Sequence, residues 1–264
     1  VAFPMYLTRL FQPVRTLADK FNTLQMGLVA SGRIFEVLDN AEVQQNDGTV
    51  ASGSVKGALE FQNVSFSYNG TDDVLKNVSF HLDEGQTLAI VGTTGSGKTS
   101  IISLINRLYE WDRGEILLAG RSIREYKLEF LRSRIAVVLQ DVFLFQGSVL
   151  ENMTLRNTAV SFDKVVEASK KIGAHPFIMA LPGAYQYVVA ERGANLSLGQ
   201  RQLISFVRAL LTDPDLLILD EATSSLDSET ESVLQHAIET LIENRSSIVI
   251  AHRLSTIQHA DKII

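Results

Sequence analysis

From Phe3 to Leu28 the apolar positions fall at Phe3, Leu7, Leu10, Val14, Leu17, Phe21, Leu24 and Leu28, in alternating steps of four and three. That spacing lays one stripe along a helix, so residues 1–39 are expected to be helical. Pro4 and Pro13 argue against an unbroken rod, and Pro13 is expected to kink or interrupt it. The stripe admits two readings: a helix packed on the rest of the chain, or the extension of a helix arriving from elsewhere. Residues 40–57 (NAEVQQNDGTVASGSVKG) lose all periodicity and gather Gly, Ser, Asn and Asp, which predicts a linker. From Ala58 onward short β-like runs alternate with helical stretches. Val64, Phe66 and Tyr68 alternate as a half-buried strand should, and Thr87–Val91 is a short apolar run entering a glycine loop. Arg134–Leu139, Leu216–Leu219 and Ser247–Ala251 are further strand-sized runs. Strands alternating with helices predict an α/β domain whose mainly parallel sheet is covered on both faces.

Composition narrows the function classes. The chain has 264 residues, a length for one large domain or two small ones. Hydrophobic residues make up 45% and charged residues 20%, enough to bury a core. Lys and Arg number 24 against 30 Asp and Glu, a formal charge of −6, and a dedicated nucleic-acid binder carries a basic face instead. With no cysteine there is no disulfide framework, thiolate zinc site or cysteine nucleophile. No apolar run approaches the roughly 18 residues of a membrane span. The chain opens at Val1 and closes at Ile264 inside an apolar run that reads as an unfinished strand, so a fragment is expected.

Gly92-Thr93-Thr94-Gly95-Ser96-Gly97-Lys98-Thr99 fits G-x-x-x-x-G-K-[ST] at every fixed position. An apolar strand precedes it and an apolar helical pattern, Ile101–Leu108, follows, which is the context a phosphate loop requires. Glycines let the backbone curl until successive N–H groups point inward at phosphate oxygens, and the helix N-terminus adds partial positive charge. Lys98 can reach the β and γ phosphates, and the Thr99 hydroxyl can ligate Mg²⁺. Such a loop needs a carboxylate at the end of a neighbouring strand, and Leu216-Leu217-Ile218-Leu219-Asp220 supplies Asp220. Glu221 follows, where it could orient or deprotonate a water attacking the γ-phosphate. His252 and Gln140 emerge after two more strand-sized runs, on the edge where ligands of parallel sheets gather. Spacing alone assigns neither: a histidine after a strand is most often structural.

Leu196-Ser197-Leu198-Gly199-Gln200 resembles the L-S-G-G-Q signature of ABC ATPases, and Arg201-Gln202 continue it as in that family. Tyr68, the phosphate loop, Gln140, the signature, Asp220-Glu221, Ser225-Leu226-Asp227 and His252 follow the family's order of A-loop, Walker A, Q-loop, signature, Walker B, D-loop and H-loop. Glu191-Arg192-Gly193, Gln140–Phe145 with Glu151-Asn152, and the run Pro13–Asp39 resemble exporters rather than importers or soluble ABC proteins. The resemblance selects the second reading of the stripe: residues 1–39 as the cytoplasmic end of the last transmembrane helix and a connecting helix, 40–57 as linker, and 58–264 as an ATPase domain truncated at its C-terminus. The implied fold is a P-loop NTPase, RecA-like, with a parallel-sheet core, an antiparallel β subdomain and an α-helical insertion at about 141–212.

The resemblance also implies roles. Tyr68 stacks on adenine; Thr93, Thr94, Gly95, Ser96, Gly97, Lys98, Thr99 and Ser100 hold the phosphates of ATP. Thr99 and Gln140 ligate Mg²⁺, with Asp220 acting through water. Glu221 is the base or water-positioner and His252 contacts the γ-phosphate, with Gln140 and Lys98 completing the catalytic set. Ser197, Leu198, Gly199 and Gln200 serve the ATP held by a second ABC ATPase domain, and Asp227 lies in the D-loop. Expected partners are that domain and transmembrane domains, at the cytoplasmic face of a membrane, without nucleic acid. Two departures stand out: Leu198 replaces the signature's first glycine, and Ala190 the glycine before Glu-Arg-Gly. A branched side chain at 198 restricts φ where backbone should approach phosphate, which favours a heterodimer with unequal ATP sites over a homodimer. Two other classes compete: a nucleotide-gated interaction module that scarcely turns over, and a soluble ABC ATPase of DNA repair or translation.

Overall fold

The computed structural model describes residues 2–40, 44, 46–220, 228–250 and 260–264. They divide into two units, Val1–Gln45 and Asn46–Ile264. The first unit is one helix, α1 (Ala2–Leu38), which runs through Pro13. Proline removes a single N–H donor, and the bonds on either side keep the helix going, so the expected interruption does not occur. Phe3, Leu10, Val14, Leu17, Phe21, Leu24 and Leu28 of the stripe are all exposed. Among the described residues no helix is long and apolar enough to cross a membrane.

The second unit begins inside the stretch read as a linker. Asn46 Oδ1 accepts from the Leu128 N–H at 2.9 Å, and the Val50 N–H donates to Glu125 O at 2.9 Å. Val55 is buried, and its N–H reaches Asp215 Oδ2 at 3.3 Å. These tethers are to backbone and to single side chains, so no periodicity announces them.

Beyond it the elements run β1 (Leu59–Ser67), β2 (Asp73–Leu82), β3 (Thr87–Ile90), α2 (Lys98–Ile105), β4 (Arg113–Leu118), β5 (Arg121–Ser122), α3 (Leu128–Ser133) and β6 (Ile135–Val138). There follow β7 (Gly147–Ser148), α4 (Val149–Thr154), α5 (Phe162–Ile172), α6 (His175–Ala180), β8 (Val188–Val189) and α7 (Leu198–Leu211). Last come β9 (Leu216–Asp220), α8 (Ser228–Ile242), β10 (Ser246–Ile250) and β11 (Lys262–Ile263). An antiparallel sheet has the order β2-β1-β4-β5, and a parallel sheet the order β11-β3-β10-β9-β6. Helices α4 to α7 and the β7–β8 ribbon are inserted between β6 and β9.

Strand periodicity divides the core in two. Leu216 and Ile218 of β9, with Ile248 and Ile250 of β10, face a cluster shared with the antiparallel sheet and α2. Leu217, Leu219 and Val249 face the opposite cluster, shared with the inserted helices and α8. Alternation at period two therefore makes these strands apolar on both faces, as a parallel sheet between two layers requires. The register aligns Ile250 with both Asp220 and Ile90, and Val138 with Leu219. Four strands thus end level, and whatever leaves them meets on one edge.

Candidate nucleotide-binding site

The loop leaving β3 at Ile90 reaches α2 through Gly97, whose φ of 90° and ψ of 7° place it in the left-handed region. A Cβ there would lie 2.6 Å from Leu75 Cδ2, so glycine satisfies both conformation and space. No side chain caps this helix. Its first-turn N–H groups are thus left for a ligand, at the positive end of the helix dipole. Lys98, only 9% exposed, folds into the loop: Nζ donates to Gly92 O and Thr93 O, each at 2.8 Å, and to Ser96 Oγ at 3.4 Å. The Ser96 N–H closes a turn onto Thr93 O at 3.1 Å. A buried ammonium must be hydrogen-bonded, and here the loop's own oxygens serve where phosphate oxygens could replace them.

A cleft of about 390 Å³ opens beside the loop, lined in part by Thr94, Gly95, Lys98 and Thr99. Tyr68 borders it, with its hydroxyl 3.0 Å from Ser100 Oγ. The ring meets Phe66 edge-on at 4.7 Å and Tyr109 edge-on at 5.0 Å, yet remains 51% exposed. Contacts through edges and hydroxyl hold the ring while leaving surface for stacking. Gln140, two residues beyond β6, and Asp220, the last residue of β9, border the same cleft. The hydroxyl of Thr99, the amide oxygen of Gln140 and the Asp220 carboxylate are hard oxygen donors, the set a divalent ion such as Mg²⁺ prefers. Among the described residues no group of three His, Cys, Asp or Glu could hold a metal.

Glu221, Asp227 and His252 lie outside the described residues. The signature residues do not line the cleft; they start α7. Ser197 Oγ accepts from the Gln200 N–H at 3.2 Å, and Gln200 Oε1 accepts from the Ser197 N–H at 3.0 Å, a reciprocal capping box. Leu198 is the first helical residue, partly buried, and is absent from the residues with positive φ. The backbone restriction expected of a branched residue there is thus not felt; its side chain alone distinguishes it from glycine. Ala190 is equally at ease, at φ −70° with its N–H on Asn195 Oδ1 at 2.9 Å. Tyr109, which supports Tyr68, carries no motif and could not be read from the sequence.

A family model described as ABC transporter matches residues 75–224. The chain belongs to the ABC transporter family. Over its whole length it is 46% identical to an uncharacterized ABC transporter ATP-binding protein, YknV, of Bacillus subtilis (strain 168), covering 44% of that protein. It is 43% identical, over 97% of the chain and 44% of the relative, to an ATP-dependent lipid A-core flippase of Haemophilus influenzae (strain 86-028NP). A bacterial Atm1-family ABC exporter, solved with ATP bound, superposes with a TM-score of 0.81 at 34% identity, over 98% of this chain and 46% of that one. This ABC transporter chain spans less than half the length of these relatives. Its sheets and insertion are those of an ABC P-loop NTPase.

Proposed function

We propose that this chain is the ATP-binding and ATP-hydrolysing part of an exporter, working at the cytoplasmic face of a membrane with transmembrane domains. The observation that carries the reading is Lys98 held on the carbonyls of Gly92 and Thr93 beside an uncapped helix N-terminus, in a cleft shared with Asp220 and Gln140. Tyr68 stacks on adenine, while the loop N–H groups and Lys98 grip the phosphates. Thr99 and Gln140 are the residues that would hold Mg²⁺, with Asp220 acting through water. Mg²⁺ held there would supply positive charge to offset that of the phosphates. Glu221 orients or deprotonates the water that attacks the γ-phosphorus, the bond to the bridging oxygen breaks, and His252 contacts the departing phosphate.

Ser197 and Gly199 act in trans, on ATP held by a second ABC ATPase domain arranged head to tail. The Ser197 hydroxyl accepts within its own helix, so its hydrogen remains to be donated to that phosphate. Hydrolysis then releases the clamp, and the inserted helices pass the motion to the membrane helices. Leu198, where the family's signature has glycine, favours a partner of different sequence. Light scattering of Glu221→Gln tests this. The variant is expected to bind Mg·ATP yet lose about 10²–10⁴ in turnover. An ATP-dependent shift from monomer to dimer would establish self-pairing and overturn the heterodimer. Tight ATP binding without self-association supports it. Hydrolysis at the parent rate would sink the assignment of Glu221.

A further inference from the structure

The segment that leaves Gln140 is held by its backbone. Phe143 and Phe145 are half exposed, their rings touching each other edge-on at 5.1 Å, and between them only Leu144 is buried. Asn152 of α4, 1% exposed, accepts from the Phe145 N–H at 2.8 Å and donates to Phe145 O at 2.9 Å and Ser148 O at 3.1 Å. Arg208, in the last turn of α7, then locks this loop to the signature helix: Nε donates to Asn152 O at 2.9 Å and Nη1 to Phe143 O at 3.4 Å. Its Nη2 is buried without a partner among the described residues. Burial pulls the guanidinium below its ordinary pKa. A partly buried cation whose partners are carbonyls alone is a poor way to gain stability. Its rigid fork is suited instead to fixing two chain segments at once.

We propose that Arg208 and Asn152 are positioning residues that tie the segment after Gln140 to the helix beginning at Leu198. They thereby set the Gln140 amide for Mg²⁺ and hold it in fixed relation to the signature. The inference rests on the proposed role of Gln140. Leu144 supplies an apolar anchor but no direction, whereas the bonds to Phe143 O and both backbone groups of Phe145 specify where the preceding residues can lie. One structural unit then carries a ligand of the chain's own nucleotide and the start of the helix that serves the partner's.

The test titrates Mg²⁺ into the full chain holding a fluorescent ATP analogue, comparing the parent with Gln140→Ala, Arg208→Met, Arg208→Lys and the double variant Gln140→Ala/Arg208→Met. In the two Arg208 variants, analogue affinity in EDTA should stay within about twofold of the parent, because the phosphate loop is untouched. Half-saturating Mg²⁺ should rise about tenfold in both Gln140→Ala and Arg208→Met, the low end for loss of a residue behind a metal ligand. The double variant should be no worse than either single one, since both act through the same amide. Arg208→Lys keeps the charge and stem but cannot span two carbonyls, so it should fail to restore the parental requirement. If Gln140→Ala shifts the Mg²⁺ requirement and Arg208→Met does not, the inference is overturned while the proposed function stands. Should Arg208→Met not fold, a parental requirement in Arg208→Lys overturns it equally. If Gln140→Ala itself has no effect, the reading of Gln140 fails, and this inference with it.

Discussion

The two helices proposed to meet phosphate, α2 after a glycine-rich loop and α7 after a serine-led turn, have N-termini that are finished differently. Helix α2 starts at left-handed Gly97 with no side-chain cap, and a lysine occupies the loop in front of it. Helix α7 starts at Ser197 and is closed by its own capping box with Gln200. An uncapped start leaves donors unsatisfied until a ligand arrives, whereas a capped start is complete alone. The first is built for a resident ligand. The second keeps its shape while a phosphate on another subunit comes and goes.

The largest effect should follow from emptying the α2 loop. Lys98→Met preserves most of the side-chain volume but removes the donor, and turnover should fall about 10²–10³-fold, the usual cost of one charge-stabilising donor. Stability should change by no more than about 1 kcal/mol, because Gly92 and Thr93 are exposed and water can replace the ammonium at their carbonyls. Steady-state ATPase assays and thermal melts would separate the two. A chain that unfolds instead would mean that the lysine is a strut of the loop, and the contrast with α7 would collapse. Next comes Gly97→Ala, which forces a Cβ into left-handed backbone 2.6 Å from Leu75 Cδ2. It should cost about 1–2 kcal/mol in a denaturant titration. An unchanged midpoint would show that the loop relaxes without strain.

Both helix starts carry local signals in the sequence. The phosphate loop and the strands that frame it were readable because their information is local: a fixed spacing of glycines, and unbroken apolar runs of strand length at Leu216–Leu219 and Ile248–Ala251. Ser197 followed three residues later by Gln200 is local too. Pro13 does not end the helix because a helix as long as Ala2–Leu38 absorbs the loss of one donor. Residues 46–57 read as a linker because their anchors are a side-chain amide on the Leu128 N–H and backbone bonds to Glu125, which leave no hydrophobic period. Arg208 was invisible for a stronger reason. Its acceptors are backbone carbonyls 56 and 65 residues away, and a carbonyl has no residue type to betray it.

Ser197→Ala sharpens the comparison at a smaller scale. Loss of the cap should cost about 1 kcal/mol, or about 3 °C in melting temperature for a domain of this size, with no nucleotide present. ATP should not restore it in the monomer, because the phosphate proposed to meet this hydroxyl sits on the partner. Ser148→Ala, which removes the cap of α4, should lower the melting temperature by a similar amount while leaving ATP turnover within about twofold. If Ser148→Ala lowered turnover as much as Ser197→Ala, the signature serine would have no role beyond capping.

The smallest effect distinguishes the two boxes by charge. At α4 the third position is Glu151, whose carboxylate accepts from the Ser148 N–H at 2.7 Å; at α7 it is neutral Gln200. The backbone bond from Ser148, with Arg156 nearby, holds the Glu151 carboxyl below its ordinary pKa. A carboxylate lowered on folding contributes stability above its unfolded pKa and loses that contribution as pH falls through the folded value. Acidification through and below the ordinary glutamate range should therefore loosen the start of α4 while leaving α7 unchanged. Amide exchange, corrected for the intrinsic pH dependence, is the direct readout: protection at the Ser148 N–H should fall toward acid, and protection at the Ser197 N–H should not. Glu151→Gln should make the two alike. Equal loss at both amides would mean that acid opens the inserted helices as a whole, and that the charge at the third position is irrelevant to either helix start.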